Sequence, residues 1–425
     1  MTTTRNQHKV IGNGQNAALA INLRHLRALA VVARSGSVAR AADALYRVSS
    51  AITRSISELE EALGKPLFER RARGMVLNRY GELVLARTQR IERVFDEAAA
   101  QLVSRSGVGA GVDPQAVFAS ILNGRRLAVF ADLAEKRSMS AVAHDFGITQ
   151  PAISAALKDL ETGLGVTLLE RSARGLLPTA AGEIVAFHFK RVLAELRHIV
   201  PDIAASDGTL RGSIHVGALP LGRTQFLPVA IAALLARHPQ LHVATVESPY
   251  DALALALRSG DIDFIFGALR TGPEVKDLAQ EALFEDRLSV IARAGHPFTK
   301  LRRIDFDTLR QATWVLSRRG APSRELLEKS FSAAREAPPV PAVETGDLAL
   351  LRGLLLESDM LTAISAHQLR YEIRDASLVV LPFHLDDTRR DIGITQRQGA
   401  FPPPGAKALM DELRAATSRP AGRRQ

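Results

Sequence analysis

One stretch of this 425-residue chain is written twice, and that repeat constrains the fold more than anything else in it. At an offset of 101 residues, without gaps, 19 of 57 positions are identical between 26–82 and 127–183. Leu59-Glu60 answers Leu160-Glu161, Leu63-Gly64 answers Leu164-Gly165, Glu69-Arg70 answers Glu170-Arg171, and Gly81-Glu82 answers Gly182-Glu183. A solenoid repeats every 20–50 residues or so, so a period this long means two copies of one domain. Between them lies Ser-Arg-Ser-Gly-Val-Gly-Ala-Gly-Val-Asp-Pro, 104–114. Its glycines 107, 109 and 111 lack the G-x-G-x-x-G spacing and follow no apolar strand, so this segment reads as a flexible linker, about 104–120.

The second copy shows what each would fold into. Leu127, Phe130, Leu133 and Ala134 recur at helical spacing. After a break at 136–139, Ser140 is placed to cap a short helix over 141–146 that Gly147 stops. Thr149 then caps a third helix with Pro151 in its first turn, where the missing N–H is harmless. Ile153, Leu157 and Leu160 face the core, so Gln150, Ser154, Ala155 and Lys158 face outward. Two short helices joined by a tight turn describe a helix-turn-helix whose second helix begins with small and polar side chains. Base edges are met by those first turns: glutamine can bond adenine in two places, and serine or threonine can bond base or phosphate. Residues 168–179 suit a two-stranded wing, with Arg171 and Arg174 placed to lie against phosphates or enter the minor groove. Each copy then enters an amphipathic helix, with Leu83, Leu85, Ile91, Val94, Phe95 and Leu102 in the first and Ile184, Phe187, Val192, Leu196, Ile199 and Val200 in the second. Such a stripe seeks a partner helix or its own module.

Charge follows the repeat. Residues 1–200 hold 27 Lys+Arg against 18 Asp+Glu, and residues 201–425 hold 28 against 27. The excess, confined to one half, points to an anionic partner for that half, nucleic acid or a membrane surface. There is no cysteine, which excludes thiolate chemistry and Cys-based zinc sites. A polar N-terminus without a signal-peptide core, and no apolar run long enough to cross a bilayer, make a cytoplasmic protein without membrane contact the expectation.

The string Phe146-Gly147-Ile148-Thr149-Gln150-Pro151-Ala152-Ile153-Ser154, followed by Leu160-Glu161, Leu164-Gly165, Leu168-Leu169-Glu170-Arg171 and Thr179-Ala180-Ala181-Gly182-Glu183, closely resembles the winged helix-turn-helix of LysR-type transcriptional regulators. The resemblance implies one such domain, a linker helix that dimerises, and an effector domain with the two-lobed periplasmic-binding-protein-like fold; this chain departs by carrying the first part twice. The expected fold is therefore multidomain: two all-α winged helix-turn-helix domains with linker helices, then an α/β effector domain. The expected boundaries are a disordered tail over 1–20, modules at 21–103 and 121–207, and an effector domain over 208–425. The first copy differs where the second would read bases: Val48-Ser49-Ser50 stands for Thr149-Gln150-Pro151, Arg47 for Ile148 and Asn78 for Thr179. The candidate DNA contacts are Thr149, Gln150, Pro151, Ser154, Ala155, Lys158, Arg171, Arg174 and Thr179 in copy two, and Ser49, Ser50, Thr53, Arg54, Arg70 and Arg73 in copy one.

From Gly212 the pattern changes. Residues 213–217, 241–247 and 263–267 read as strands and 226–237 and 250–258 as helices, which implies a parallel sheet with a ligand site beyond its carboxyl ends. By the resemblance, lobe I spans about 211–275 and 381–420 and lobe II about 280–375, with a small-molecule effector between them. Leu221, Gly222, Arg223, Thr224, Tyr250, Ser317, Arg318 and Thr345 are its candidate contacts, Arg223 or Arg318 pairing with an anionic effector. Walker A, G-x-S-x-G and H-E-x-x-H motifs are missing, so no enzyme, metal or cofactor is expected. The expected partners are double-stranded DNA, the effector and further copies of the chain as dimer or tetramer, with RNA polymerase admitted by the resemblance. Duplication also allows the two linker helices of one chain to pair with each other. The alternative is a small-molecule-binding protein or enzyme whose helix-turn-helix repeats serve only to dimerise.

Overall fold

The computed structural model describes residues 21–71, 74–105, 117–118, 123–172 and 175–418. The expected tail over 1–20, the wing residues Arg73 and Arg174, and most of the expected linker lie outside the described residues, and of Arg70 only the backbone is described.

Module one comprises α1 (Leu23–Ser35), α2 (Val38–Ala44), α3 (Ser49–Leu63), the wing strands β1 (Phe68–Arg71) and β2 (Gly74–Leu77), and the linker helix α4 (Arg79–Arg105). Module two repeats the order with α5 (Gly124–Lys136), α6 (Met139–Phe146), α7 (Gln150–Leu164), β3 (Leu169–Ser172), β4 (Gly175–Pro178) and α8 (Ala180–Ser206). Each wing is an antiparallel pair. The residues shared between copies are those that close the fold. Glu60 Oε1 accepts the Leu67 N–H at 2.7 Å, and Glu161 Oε1 accepts the Leu168 N–H at 2.7 Å, so each third helix is tied to its wing in the same way. A Cβ at Gly81 would lie 2.2 Å from the Leu67 carbonyl oxygen, and one at Gly182 2.0 Å from that of Leu168, which only glycine avoids. One expected cap moves. Ser138 rather than Ser140 caps α6, accepting from the Ala141 N–H at 3.3 Å, because the helix starts at Met139 inside the expected break.

The two linker helices lie against each other within one chain. Arg79 at the start of α4 meets Asp207 beyond the end of α8, Arg87 meets Asp202, Arg90 meets Glu195, and Glu97 meets Arg191, so one helix advances as the other retreats. The pair is antiparallel. Its apolar seam takes Val84, Ile91, Val94, Val185, Phe189 and Val192; Phe189 fills it rather than the expected Phe187. Phe118 departs from the expectation of a plain spacer: it is fully buried, with ring centroids 5.3 Å from Phe95 and 5.7 Å from Phe189.

The C-terminal domain adds β5 (Gly212–Ala218), α9 (Pro220–Thr224), α10 (Phe226–Arg237), β6 (Leu241–Val246), α11 (Tyr250–Ser259), β7 (Phe264–Ala268), β8 (Leu278–Asp286), β9 (Leu288–Arg293), α12 (Phe306–Arg310), β10 (Val315–Leu316), α13 (Pro322–Ala333), β11 (Val343–Glu344), α14 (Leu348–Glu357), β12 (Thr362–Ser365), α15 (Arg370–Arg374), β13 (Leu378–Val380), β14 (Arg390–Arg397) and α16 (Pro404–Ser418). Lobe I is built on the sheet β6-β5-β7-β14-β8 and lobe II on β12-β9-β13 with the parallel pair β10-β11. The expected parallel strands β6, β5 and β7 are present, but β14 joins antiparallel to both β7 and β8. This shifts the lobe boundaries. β8 belongs to lobe I, not to a lobe II starting near 280, because its partner β14 is the segment returning from lobe II. The crossing is pinned: Ser365 Oγ donates to Asp286 Oδ1 at 2.6 Å, and Arg390 Nε and Nη2 donate to Asp286 Oδ2 at 3.0 and 2.9 Å. No helix among the described residues is long and apolar enough to cross a membrane.

Candidate DNA-reading faces and interlobe site

In module two, Thr149 Oγ1 accepts from the Ala152 N–H at 3.4 Å and Pro151 occupies the first turn, so α7 starts with a capped, fixed geometry. The turn before it is made by Gly147 at φ 59°, a left-handed backbone that glycine adopts at low cost. Thr149, Gln150, Pro151, Ala155 and Lys158 are exposed, as is Arg171 on the wing. Two expected contacts are engaged within the protein. Ser154 is half-buried, its hydroxyl 3.5 Å from the Met139 sulfur. Thr179 caps α8, accepting from the Gly182 N–H at 3.1 Å while donating to the Thr167 carbonyl at 2.8 Å.

Module one presents Ser49, Ser50, Thr53 and Arg54 on the corresponding face. Thr53 Oγ1 donates to the Ser49 carbonyl at 3.1 Å, and Arg54 Nε donates to Glu58 Oε1 at 2.7 Å, which draws that guanidinium along the helix. Val48 stands at the cap and makes no side-chain capping bond. Tyr46 takes the place of Gly147 with φ 53°. Tyr46 is 97% exposed and Val48 68% exposed, so two apolar groups project beside the start of α3. Sequence reasoning passed over both, although an aromatic residue in the position of a turn glycine was a visible signal.

The readers are tied to the rest of the molecule through Arg87, which is fully buried. Its Nε donates to Asp202 Oδ2 at 2.7 Å, Nη2 to Asp202 Oδ1 at 3.2 Å, and Nη1 to Glu195 Oε2 at 2.7 Å and to the Phe401 carbonyl at 2.8 Å. One side chain therefore joins α4, α8 and the loop before α16. Burial alone would raise the Glu195 carboxyl, but the charges of Arg87 and Arg90 hold it below the usual carboxylate range. Lobe I also docks on α8 directly. His198 Nε2 lies 3.1 Å from Asp263 Oδ1, Lys190 Nζ 3.0 Å from Asp261 Oδ2, and Arg197 Nη2 donates to the Gly260 carbonyl at 2.9 Å.

The expected effector residues divide into three groups. Leu221 and Gly222 on α9 are buried toward the lobe I core, and a Cβ at Gly222 would lie 2.7 Å from the Phe266 ring, so neither offers a polar contact. Thr224 joins the lobes, its hydroxyl donating to the His367 carbonyl at 3.3 Å, while His367 Nδ1 lies 3.0 Å from Gln225 Oε1. Tyr250 is buried at the start of α11, with no hydrogen-bond partner for its hydroxyl among the described residues. In lobe II, Ser317 Oγ is 2.9 Å from Ser323 Oγ, Thr345 is buried and accepts from the Asp347 N–H at 3.0 Å, and Arg318 is exposed, as is Arg223 on α9 of lobe I. The missed residue is Arg270. Its guanidinium lies 4.9 Å from the Tyr250 ring centroid, makes no ion pair among the described residues, and has its charge disfavoured by burial. It lies two residues beyond the end of β7, and the carboxyl end of a parallel strand is where such sheets bind ligands.

Comparison with known proteins agrees with this division. The family profile described as "Bacterial regulatory helix-turn-helix protein, lysR family" matches residues 23–82 and again 125–183, and "LysR substrate binding domain" matches 207–418. The chain is 48% identical over 393 residues to the HTH-type transcriptional regulator GalR of Pseudomonas putida, covering 92% of this chain and 96% of that one, so the doubled length is shared. It is 29% identical to PcaQ of Agrobacterium fabrum over 69% of this chain and 94% of that one. Among solved structures, full-length OxyR from Pseudomonas aeruginosa matches with a TM-score of 0.54 at 25% identity, covering 72% of this chain and 99% of that one. CbnR in complex with its target DNA shares the fold, with a TM-score of 0.51 at 21% identity over 69% of this chain and 100% of that one.

Proposed function

This chain belongs to the LysR family of bacterial transcription regulators, and on that premise we propose that both of its modules grip duplex DNA and that a small anionic molecule between the lobes controls the grip. The observation that carries the first part is the exposed, capped start of α7 with Gln150 and Lys158 facing solvent, answered by an equally exposed but uncapped start of α3 with a different set of side chains. Arginines supply attraction to phosphate and the helix starts supply selection. Arg270 over the ring of Tyr250, whose hydroxyl has no hydrogen-bond partner among the described residues, supports the second part: a carboxylate binding at that end of lobe I would find a cation and a free donor close together. α11 begins at Tyr250, and the Gly260 carbonyl just beyond its end accepts from Arg197 on α8. A ligand that favours one lobe arrangement then biases how the linker pair is held, by no more than its differential affinity for the two states. Further copies of the chain, and RNA polymerase in an activating complex, complete the proposed set of partners.

The test is fluorescence anisotropy on a duplex from upstream of the protein's own gene. Nanomolar binding that weakens steeply between 50 and 200 mM salt is expected, because several phosphate contacts exchange with cations. Indifference to duplex DNA at low salt would instead favour the reading in which the modules only dimerise. Thermal-shift screening with small carboxylates tests the effector: Arg270→Ala should abolish the shift without changing DNA affinity in the absence of ligand.

A further inference from the structure

The antiparallel pair α4–α8 does something an ordinary pairing of identical chains does not: it places two unlike readers about a near-twofold axis inside one chain. Arg90 and Arg191 are equivalent positions of the repeat, and each reaches across to the opposite helix, Arg90 to Glu195 and Arg191 to Glu97. The start of one helix meets the end of the other, through Arg79 and Asp207. The modules therefore sit at opposite ends of two 27-residue helices, separated along them by about 40 Å at 1.5 Å per residue. That is close to the roughly 34–36 Å between successive major grooves on one face of B-DNA. A twofold axis leaves directions along itself unchanged, so if α7 faces along the axis, α3 faces the same way.

The side chains at the two helix starts differ. Module two offers Thr149, Gln150 and Pro151 with Lys158 about two turns further on the same side. Module one offers Tyr46, Val48, Ser49 and Ser50, with Ser57 in the place of Lys158. Gln150 can bond the N6 and N7 edge of adenine, whereas Val48 and Tyr46 have no such hydrogen-bonding pair and match a thymine methyl. Homodimeric helix-turn-helix proteins read palindromes because their two readers are identical. Here the symmetry belongs to the scaffold and not to the reading residues.

We propose that one chain is a complete two-headed reader of a non-palindromic DNA site, whose two half-sites differ in sequence and lie about one helical turn apart. This rests on the DNA-binding reading given above. The experiment is selection of duplexes by the full-length protein from a library with about 25 random base pairs, enough for one pair of half-sites. The expected product is a motif with two unlike halves. Duplexes carrying either half twice, as inverted repeats, should then bind about tenfold or more weaker than the selected site. Gln150→Ala, a change at an exposed position, should flatten base preference in one half only. A palindromic motif, equal affinity for either inverted repeat, or a Gln150→Ala effect on both halves alike would overturn the proposal while leaving DNA binding intact. If no duplex is enriched, the DNA-binding reading itself fails.

Discussion

The two modules of this chain keep the same skeleton and differ where they work. Glu60 and Glu161 accept equivalent wing amides, and Gly81 and Gly182 meet equivalent carbonyls. The turn before the reading helix has Gly147 in one module and Tyr46 in the other, and the cap has Thr149 in one and Val48 in the other. The linker helices diverge as sharply. Arg87 and His188 occupy equivalent repeat positions and both are fully buried. Arg87 is satisfied by two carboxylates and a carbonyl, whereas among the described residues neither ring nitrogen of His188 has a hydrogen-bond partner. After duplication, then, identity between copies reports packing constraints, and divergence reports division of labour.

The largest effect should come from the Arg87 side of that contrast. Arg87→Ala leaves Asp202 and Glu195 buried without their main partner. Breaking a buried ion pair from one side costs about 3–5 kcal/mol, so the denaturant midpoint should fall accordingly. Arg87→Met with Asp202→Leu should recover much of that loss, since apolar replacement of the whole pair removes the orphaned charge. A small effect of Arg87→Ala would mean that the two linker helices are not held together as the ion-pair network implies.

His188 should show itself through pH. Burial, followed by the Arg191 charge, pushes its imidazole down to about 4, against a weaker upward pull from Glu97. The unfolded chain takes up the proton near pH 6.5 and the folded chain does not until about pH 4. Stability from this group is therefore whole above pH 6.5 and is lost as pH falls toward 4, amounting to about 2 kcal/mol between pH 6.5 and 5. His215, pushed down to about 4 chiefly by burial, acts in the same direction. Glu195 and Asp263, both held low, lose their contribution as pH falls from the ordinary carboxylate range toward their lowered values, mostly below this window. Urea unfolding at pH 6.5 and 5 should show His188→Phe losing about 2 kcal/mol less than the unsubstituted chain; equal slopes would exclude His188 as a source of the acid sensitivity.

The same contrast explains what could be read before the structure. The repeat, the helix-turn-helix order, the Thr149 cap and strands β5, β6 and β7 were legible because period, turn residues and capping are local. Pairing of α4 with α8 inside one chain was legible only as an option, since an amphipathic stripe does not say which helix covers it. Arg87 was invisible: an arginine within a helix reads as surface until its carboxylate partners, over a hundred residues away, are in place. β8 fell to the wrong lobe because its partner β14 comes from the far side of lobe II. The resemblance places Leu221 and Gly222 among the effector contacts, but the short helix α9 turns both toward the core around Phe266.

Smaller effects separate the readers themselves. Thr149→Ala removes a capping hydroxyl and should cost module two about 1 kcal/mol. Val48→Thr supplies the missing one to module one and should return up to about 1 kcal/mol, read as a raised denaturant midpoint. Tyr46→Gly should add less. It relieves a left-handed φ that costs a tyrosine about 1 kcal/mol, but glycine gives some of that back as unfolded-chain entropy. Hydrogen exchange at the α3 amides is the sharper measurement, because it reads the reading helix rather than the whole chain. If module one is a worn copy, both changes should protect α3 and leave DNA affinity unaltered. If Tyr46 and Val48 meet bases, the same two changes should protect α3 and yet weaken binding. Stability and affinity then move in opposite directions, as expected when a strained, uncapped helix start is kept for what its side chains touch.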